Sequence, residues 1–157
     1  MTTHCGLKFS DLSAIGIVTG PGSYTGTRIA VTLAKTLAQV SEKPIYGLDT
    51  LSAFVYPHRA QKNILLAILP SVRSQVNAAL FATQEGNLKR LTPNFVCETH
   101  KLEESLGRFT APLHIVGQIP ESLVHSKSLG KHLIFIRQRS EEHTSELQSR
   151  LHLVCRL

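Results

Sequence analysis

The 157-residue chain has few cysteines and no long apolar run, and these two features limit the classes of protein to which it can belong. Its three cysteines, Cys5, Cys97 and Cys155, are odd in number and widely spaced, which argues against a disulfide framework and favours a reducing cytosol. No apolar stretch reaches the length of a membrane span, and the segment before Ile15 lacks the apolar core of a signal peptide. We therefore expect a cytoplasmic protein with no membrane segment, and its 42% hydrophobic content is enough for a core.

Acidic residues are also scarce, since 11 Asp and Glu accompany 17 Lys and Arg and leave a formal net charge of +6. A basic body permits contact with nucleic acid. The sequence shows no clustered basic patch and no aromatic platform for bases, however, and scattered lysines are more often solvated surface. This pattern therefore favours a solvated basic surface over direct binding of nucleic acid.

The most informative segment is IGIVTGPGSYTGTR, which occupies residues 15–28. Its apolar start predicts a buried strand, and the glycine-rich stretch predicts a tight turn into a helix. Gly20, Gly22 and Gly26 can adopt positive φ or allow another backbone to approach closely. The amides of such a strand-to-helix junction, together with the helix dipole, form a candidate site for an anion or a partner.

The loop lacks the residues that two common phosphate-binding motifs require. Gly26 is followed by Thr27 and Arg28, so the lysine of a phosphate loop is missing. The dinucleotide fingerprint G-x-G-x-x-G fails by one residue, because position 25 is a threonine. The segment therefore does not identify a nucleotide site by itself.

Two alternatives to a partner-docking loop stay open. The first is a purely structural turn, since glycine often serves only to close a tight connection. The second is a dinucleotide-binding enzyme in which Gly20, Gly22 and Gly26 contact a pyrophosphate. The dinucleotide-binding hypothesis requires an acidic residue at the end of the next strand, and Asp49 occupies that position.

A helix is predicted from about Gly26 to Ser41, with Thr25 as its N-cap and Pro44 as its stop. Its apolar residues form two neighbouring stripes at a spacing of four, one of large and one of small side chains. The large stripe is Ile29, Leu33 and Leu37, and the small one is Ala30, Ala34 and Ala38. Because small side chains let a second helix approach closely, we expect the alanine side to pack against a helix of a partner subunit.

The rest of the chain alternates between strand and helix patterns, which predicts an α/β protein. The continuous apolar run from Ile64 to Leu69 predicts a strand buried on both faces. The turn residues at 84–87 predict a hairpin between two strands. The predicted strands are 45–48, 64–69, 75–83, 88–96 and 113–116, and the predicted helices are 51–56, 101–109 and one that begins at 120–125.

The nine residues GPGSYTGTR at 20–28 resemble the GPGS[FY]TG[LV]R signature of the TsaB (YeaZ) family, which acts in making threonylcarbamoyladenosine on tRNA. Three further segments are similar to the family's pattern, over a stretch from about Leu7 to Gly117. LKFSDLSAI at 7–15 resembles its linker, KPIYGLDTLSA at 43–53 its next strand and helix start, and LLAILPSVRSQVNAALF at 65–81 its strand, arginine turn and strand. In the last segment Pro70, Ser71 and Asn77 depart from the residues that are usual there.

The resemblance implies an actin-like, Hsp70-like ATPase (ASKHA, ribonuclease H-like) α/β fold, incomplete at the N-terminus because too few residues precede Ile15 for the family's first three strands. We expect a partial N-terminal actin-like subdomain at 1–60 and a partial second one at 61–138. Residues 139–157 are expected to be a non-native tail, since a common sequencing-library adapter translates to the RSEEHTSELQS that begins it.

The resemblance also implies a role as a non-catalytic partner subunit of the complex that modifies adenosine 37 of tRNAs reading codons that start with A. Its implied partners are the TsaD transferase, in a heterodimer, and the TsaE ATPase, with tRNA contacted indirectly and a homodimer formed when the chain is alone. ATP and metal are expected on the partner subunits, and no cofactor on this chain.

The sequence offers no catalytic group and no metal site. TsaD carries an H-x-x-x-H pair on the helix where this chain has DTLSA at 49–53, and the nearest histidine, His58, stands alone. Arg73, on a turn between strands, is a candidate anion contact, although an ordinary surface arginine is an equally good interpretation. The predicted loop and interface residues are Gly20, Pro21, Gly22, Ser23, Tyr24, Thr25, Gly26, Arg28, Ile29, Ala30, Leu33, Ala34, Leu37 and Ala38.

Overall fold

The computed structural model describes residues 9–60, 62–108, 110–126 and 133–137. These residues form two compact units, which divide in sequence between Thr50 and Leu51. The predicted tail at 139–157 lies outside the described residues. None of the described helices is both long and apolar enough to cross a bilayer.

The first unit contains a short two-stranded sheet covered by one long helix. A 3-10 turn at Phe9–Asp11 precedes strand β1 (Ile15–Val18), helix α1 (Tyr24–Ser41) and strand β2 (Ile45–Leu48). The two strands are parallel, with Ile15 opposite Ile45. Parallel pairing requires a crossover, and α1 supplies it, as the predicted strand–helix–strand pattern demands.

The core of this unit is a cluster of small and branched side chains between β1 and α1. Ile15 and Ile17 of β1 pack against Ala34 and Ala38 of α1, and all four are buried. The helix ends where Glu42 adopts a left-handed φ of 52°, with its N–H donating to the carbonyls of Ala38 and Gln39.

The second unit is a mixed six-stranded sheet with short helices. Its main path runs β5–β4–β3–β7–β8, and β6 pairs with β4 beyond the end of β5. Its elements are α2 (Thr50–Val55, whose first residue belongs to the first unit), a 3-10 helix (Tyr56–His58), β3 (Asn63–Pro70), β4 (Gln75–Gln84), β5 (Asn87–Arg90), β6 (Phe95–Glu98), α3 (Thr99–Gly107), β7 (Leu113–Gly117), α4 (Glu121–Val124) and β8 (Leu133–Arg137).

Strand β3 lies at the centre of this sheet and is buried on both faces, which confirms the interpretation of its continuous apolar run. Leu66 and Ile68 face a cluster formed with α3, α4 and β7. Leu65 and Ala67 face the other side, where α2 covers the sheet. The hairpin predicted at 84–87 is also present, between β4 and β5.

Three details of the second unit differ from the predictions. The single strand predicted at 88–96 is two strands, because the chain leaves the ladder at Leu91 and Thr92, whose N–H groups both point to the carbonyl of Leu80. Strand β8 was not predicted. The boundary expected between residues 60 and 61 falls ten residues earlier, because Leu51 and Val55 of α2 are fully buried in the core of the second unit.

Candidate interface at the glycine loop and first helix

The loop between β1 and α1 is held against the end of β2 by three hydrogen bonds. The N–H of Thr19 donates to the carbonyl of Leu48 at 2.8 Å, and the Thr19 hydroxyl donates to the same oxygen at 3.1 Å. The N–H of Thr50 donates to the carbonyl of Gly20 at 2.9 Å. Gly20 has a φ of +110°, which L-residues with a side chain rarely adopt, so this glycine is required by the backbone itself. The following bond, Gly20–Pro21, is cis.

Helix α1 begins two residues earlier than predicted, and its cap is Ser23 rather than Thr25. The Ser23 hydroxyl oxygen accepts from the N–H of Gly26 at 3.3 Å, and its carbonyl accepts from the N–H of Thr27 at 2.8 Å. Thr25 therefore lies inside the first turn of the helix. Both residues are good caps, and the turn that starts at Gly20 decides between them by bringing Ser23 to the helix end.

The other two glycines of the loop are not needed by the fold of this unit. A Cβ placed on Gly22 would meet only the Thr27 hydroxyl, at 3.8 Å, and one on Gly26 would touch Ser23 at 3.4 Å. Both positions therefore have room for a methyl group, and neither has a positive φ. Glycine therefore leaves the backbone uncovered by a side chain at these two positions, which suits close approach by another molecule.

Arg28 does not extend from the helix start as a free cation. Its guanidinium carbon lies 4.5 Å from the centre of the Tyr24 ring, one helical turn away, in a cation–π contact. The Tyr24 side chain is 71% exposed, so the pair forms a raised planar surface at the start of α1. This contact makes Arg28 a poor substitute for the phosphate-loop lysine.

The two stripes of α1 have roles opposite to those expected. Ala34 is fully buried and Ala38 nearly so, against the chain's own β1, with Ala30 half-buried beside them. The expectation that the alanine side packs a partner helix is therefore wrong, because small side chains allow a sheet to approach as closely as a helix. Leu37 is also half-buried against this core.

Three other large apolar side chains of α1 point away from this core and remain exposed. Ile29 is 63% exposed, Leu33 45% and Val40 80%. Positions 29, 33 and 40 lie within about 40° of one another around a helix of 3.6 residues per turn, so they form one continuous line. We call these three residues the apolar ridge. Large exposed side chains in one line mark a contact surface more often than isolated ones do.

The remaining sequence candidates lie in the second unit and contribute no catalytic cluster. Arg73 is exposed in the turn between β3 and β4, where it and Ser74 adopt positive φ. Burial raises the pKa of the Cys97 thiol above its ordinary value, so this cysteine is a weak nucleophile. Among the described residues, no group of three or more His, Cys, Asp or Glu side chains is placed to hold a metal.

Sequence reasoning missed several exposed side chains. Val40 follows the stripe of Ile29 and Leu33 at helical spacing, and extending the count by seven residues would have included it. Tyr46 and Leu48 of β2 are 61% and 48% exposed, although a strand in this position usually contributes to a core. The stacking of Arg59 on Tyr56 had no sequence signal beyond a spacing of three residues.

The family model and the curated relatives described next carry two names, TsaB and tRNA N6-adenosine threonylcarbamoyltransferase. A family model described as TsaD, tRNA N6-adenosine threonylcarbamoyltransferase, matches residues 1–115. The tRNA threonylcarbamoyladenosine biosynthesis protein TsaB of Bacillus subtilis (strain 168) is 33% identical over 134 residues, which are 85% of this chain and 56% of that protein. The tRNA N6-adenosine threonylcarbamoyltransferase of Anaplasma phagocytophilum (strain HZ) is 33% identical over 67 residues, which are 43% of this chain and 20% of that protein.

A solved structure supports the fold. A Pseudomonas aeruginosa protein described as uncharacterized, with similarity to peptidase YEAZ, has a TM-score of 0.60 at 20% identity, covering 73% of this chain and 54% of that one. The expected actin-like, Hsp70-like α/β fold is confirmed. The chain spans about half the length of the TsaB and YeaZ relatives it matches. These matches leave the dinucleotide-binding alternative without support and agree with the predicted resemblance to TsaB (YeaZ). Because the family model matches well over half of the chain, the chain belongs to the family described as TsaD, tRNA N6-adenosine threonylcarbamoyltransferase.

Proposed function

We propose that this protein is a non-catalytic subunit in the synthesis of threonylcarbamoyladenosine at position 37 of tRNA, and that it binds a TsaD-type transferase through α1. The observation that supports this most directly is the apolar ridge, which the core formed by the described residues leaves exposed. The loop that precedes it adds two positions without side chains, Gly22 and Gly26, near the start of the same helix. An apolar centre surrounded by a polar rim is the usual anatomy of a stable protein contact.

The chemistry belongs to the partner in this proposal. The helix after β2 carries no histidine pair, so we place metal and ATP on other subunits, the transferase and a TsaE-type ATPase. In this proposal the complex brings the chain to tRNA, so its contact with tRNA is indirect. In the absence of the transferase, the same apolar ridge is available to a second copy of the chain, which gives a homodimer.

Leu33→Asp should abolish capture of the transferase. An aspartate on the ridge would have to be desolvated on binding without a partner for its charge, which costs several kcal/mol. The side chain is 45% exposed in the free chain, so the substitution should leave the fold intact. The measurement is a pull-down of a TsaD protein by tagged parent and variant chains, with circular dichroism as the check on folding.

Gln39→Asp is the matched control on the same helix. Gln39 is exposed like Leu33, carries the same substitution, and lies about 120° away around the helix. We expect this variant to capture the transferase as the parent does. Equal capture by all three chains would show that the ridge is not the interface, and loss of capture by Gln39→Asp as well would show that any new charge on α1 acts nonspecifically.

The purified chain should transfer no threonylcarbamoyl group to tRNA by itself. The metal site of a TsaD-type transferase needs two imidazoles one turn apart on the helix after β2, and this chain has Thr50 to Ala53 there. The measurements are a transfer assay with labelled threonine and metal analysis after treatment with a chelator. One equivalent of metal retained after chelation, or product formed without a transferase, would contradict the non-catalytic role.

A further inference from the structure

A cleft of about 620 Å³ opens at one end of the sheet in the second unit. Its sides are the segment that enters β3 and the hairpin between β4 and β5. Ala82 of β4 pairs with Ile64 of β3 on one side and with Lys89 of β5 on the other, and all three residues line the cleft. The small side chain of Ala82 therefore lies between a branched apolar side chain and a lysine. This volume falls within the range of ~300–1,000 Å³ that is usual for ligand sites.

The charged side chains of the cleft have an excess of positive charge. Lys62 and Lys89 are exposed on its lining, and Glu85 is the one acidic residue among the lining residues. Neither lysine forms an ion pair within the part of the chain that the structure describes. The lysines are therefore available to an anion, and ammonium groups attract phosphates as point charges.

A stacked tyrosine and arginine lie beside the cleft, in the same unit. The guanidinium carbon of Arg59 is 3.9 Å from the centre of the Tyr56 ring, and its Nη1 donates to the Tyr56 carbonyl at 3.0 Å. The Arg59 carbonyl in turn accepts from the N–H of Gly86 at 3.1 Å, which ties the pair to the hairpin that forms one side of the cleft. Tyr56 is 56% exposed, so planar surface remains available for stacking.

We infer that this part of the second unit binds single-stranded RNA directly, with a base stacked on the Tyr56–Arg59 pair and the backbone phosphates near Lys62 and Lys89. Exposed aromatic and guanidinium planes beside cations are how proteins hold unpaired bases. An acidic peptide would satisfy the lysines but would leave the stacked planes unused. This surface goes beyond the proposed function, which brings the chain to tRNA through the complex and assigns it no RNA-binding residues of its own.

Anisotropy of a labelled, unstructured 12-nucleotide RNA, titrated with the full chain over a series of salt concentrations, tests the inference. Tyr56→Ala should weaken binding roughly tenfold or more through loss of one stacked base, while Tyr56→Phe keeps the plane and should bind like the parent. Lys89→Ala should reduce the slope of log affinity against log salt by about 0.7, the value of one phosphate contact on a single strand. Glu85→Gln removes the opposing charge and should tighten binding.

Tyr46→Ala and Lys35→Ala are the controls, since each removes an exposed side chain of the same kind from the first unit. Both should bind RNA as the parent does. The inference is overturned if the parent binds no RNA, if Tyr56→Ala binds as well as the parent, or if the control variants weaken binding equally. Displacement of the RNA by an equal concentration of free mononucleotide would also overturn it, in favour of a small-molecule pocket. The assay contains no transferase, so its failure leaves the proposed partner role untouched.

Discussion

Ala34→Glu should unfold the first unit rather than merely disrupt a partner contact. Ala34 has no exposed surface and packs with Ile15, Ile17 and Ala38 between α1 and β1. A glutamate there buries a charge with no counter-ion and adds volume to a filled core, and each effect costs a few kcal/mol. Whole domains are stable by only ~5–15 kcal/mol, so we expect this unit to lose its cooperative melting transition. The measurement is thermal unfolding of parent and variant, monitored by circular dichroism.

Lys35→Glu is the control for this prediction. Lys35 is the next residue on the same helix and is exposed, so the same new side chain should change stability by no more than about 0.5 kcal/mol. Comparing the two variants separates the effect of burying the glutamate from its effects on helix propensity and net charge. A native melting curve for Ala34→Glu would mean that the alanine side is open after all, and the expectation of a partner helix on that side would return.

The first helix shows what periodicity can and cannot predict. The spacing of apolar residues located α1 and its two stripes, because a helical period of 3.6 depends only on local sequence. It could not tell which stripe faces the core. Ala34 and Ala38 meet the large side chains of Ile15 and Ile17, and this complementary packing across the interface is a tertiary property.

In the second unit, the strands with strong local patterns were predicted and those defined by pairing were not. The apolar run of β3 and the turn before β5 are local signals. The break between β5 and β6 depends on Thr92, whose hydroxyl oxygen accepts from the N–H of Leu80 at 2.9 Å across the sheet. Strand β8 exists because its residues pair with β7, with Leu133 opposite Leu113. Partners distant in sequence leave no trace in a local window.

The candidate sites also divide into those that local sequence predicted and those that depend on tertiary structure. The signature loop was identified from consecutive residues, and the structure shows it fixed to the end of β2. The apolar ridge required knowledge of which side of α1 is buried. The stacking of Arg59 on Tyr56 is a local contact between residues three apart. Its place beside the lysine-lined cleft depends on the hairpin, whose Gly86 N–H donates to the Arg59 carbonyl. A tertiary contact therefore brings the aromatic platform to the cleft.

Gly117→Ala should be the most damaging methyl addition in the second unit. Gly117 ends β7 with a φ of +106°, and a Cβ there would lie 2.3 Å from the carbonyl oxygen of Ile68 and 2.9 Å from Cδ2 of Phe54. The first contact is with the backbone of the central strand, whose Ile68 carbonyl also accepts from the N–H of Gln118 at 3.0 Å. Neither atom can move without breaking this bond or shifting α2. Strain and overpacking of ~1–3 kcal/mol each give an expected loss of about 2–6 kcal/mol in the free energy of unfolding.

Gly86→Ala isolates the backbone part of that cost. Gly86 also has a positive φ, +82°, but a Cβ there would have no heavy atom within 4 Å. Gly86→Ala should therefore lower the free energy of unfolding by only the ~1–2 kcal/mol that a left-handed conformation costs an alanine. The measurement is urea unfolding of the parent and both variants. The free energies can be compared when their dependence on urea concentration has the same slope, since a change in slope would mean a change in the compactness of one state. If the two alanine variants were equally stable, the close approach of Gly117 to Ile68 would not be a feature of the folded chain, and the parallel pairing of β3 with β7 at this point would have to be different.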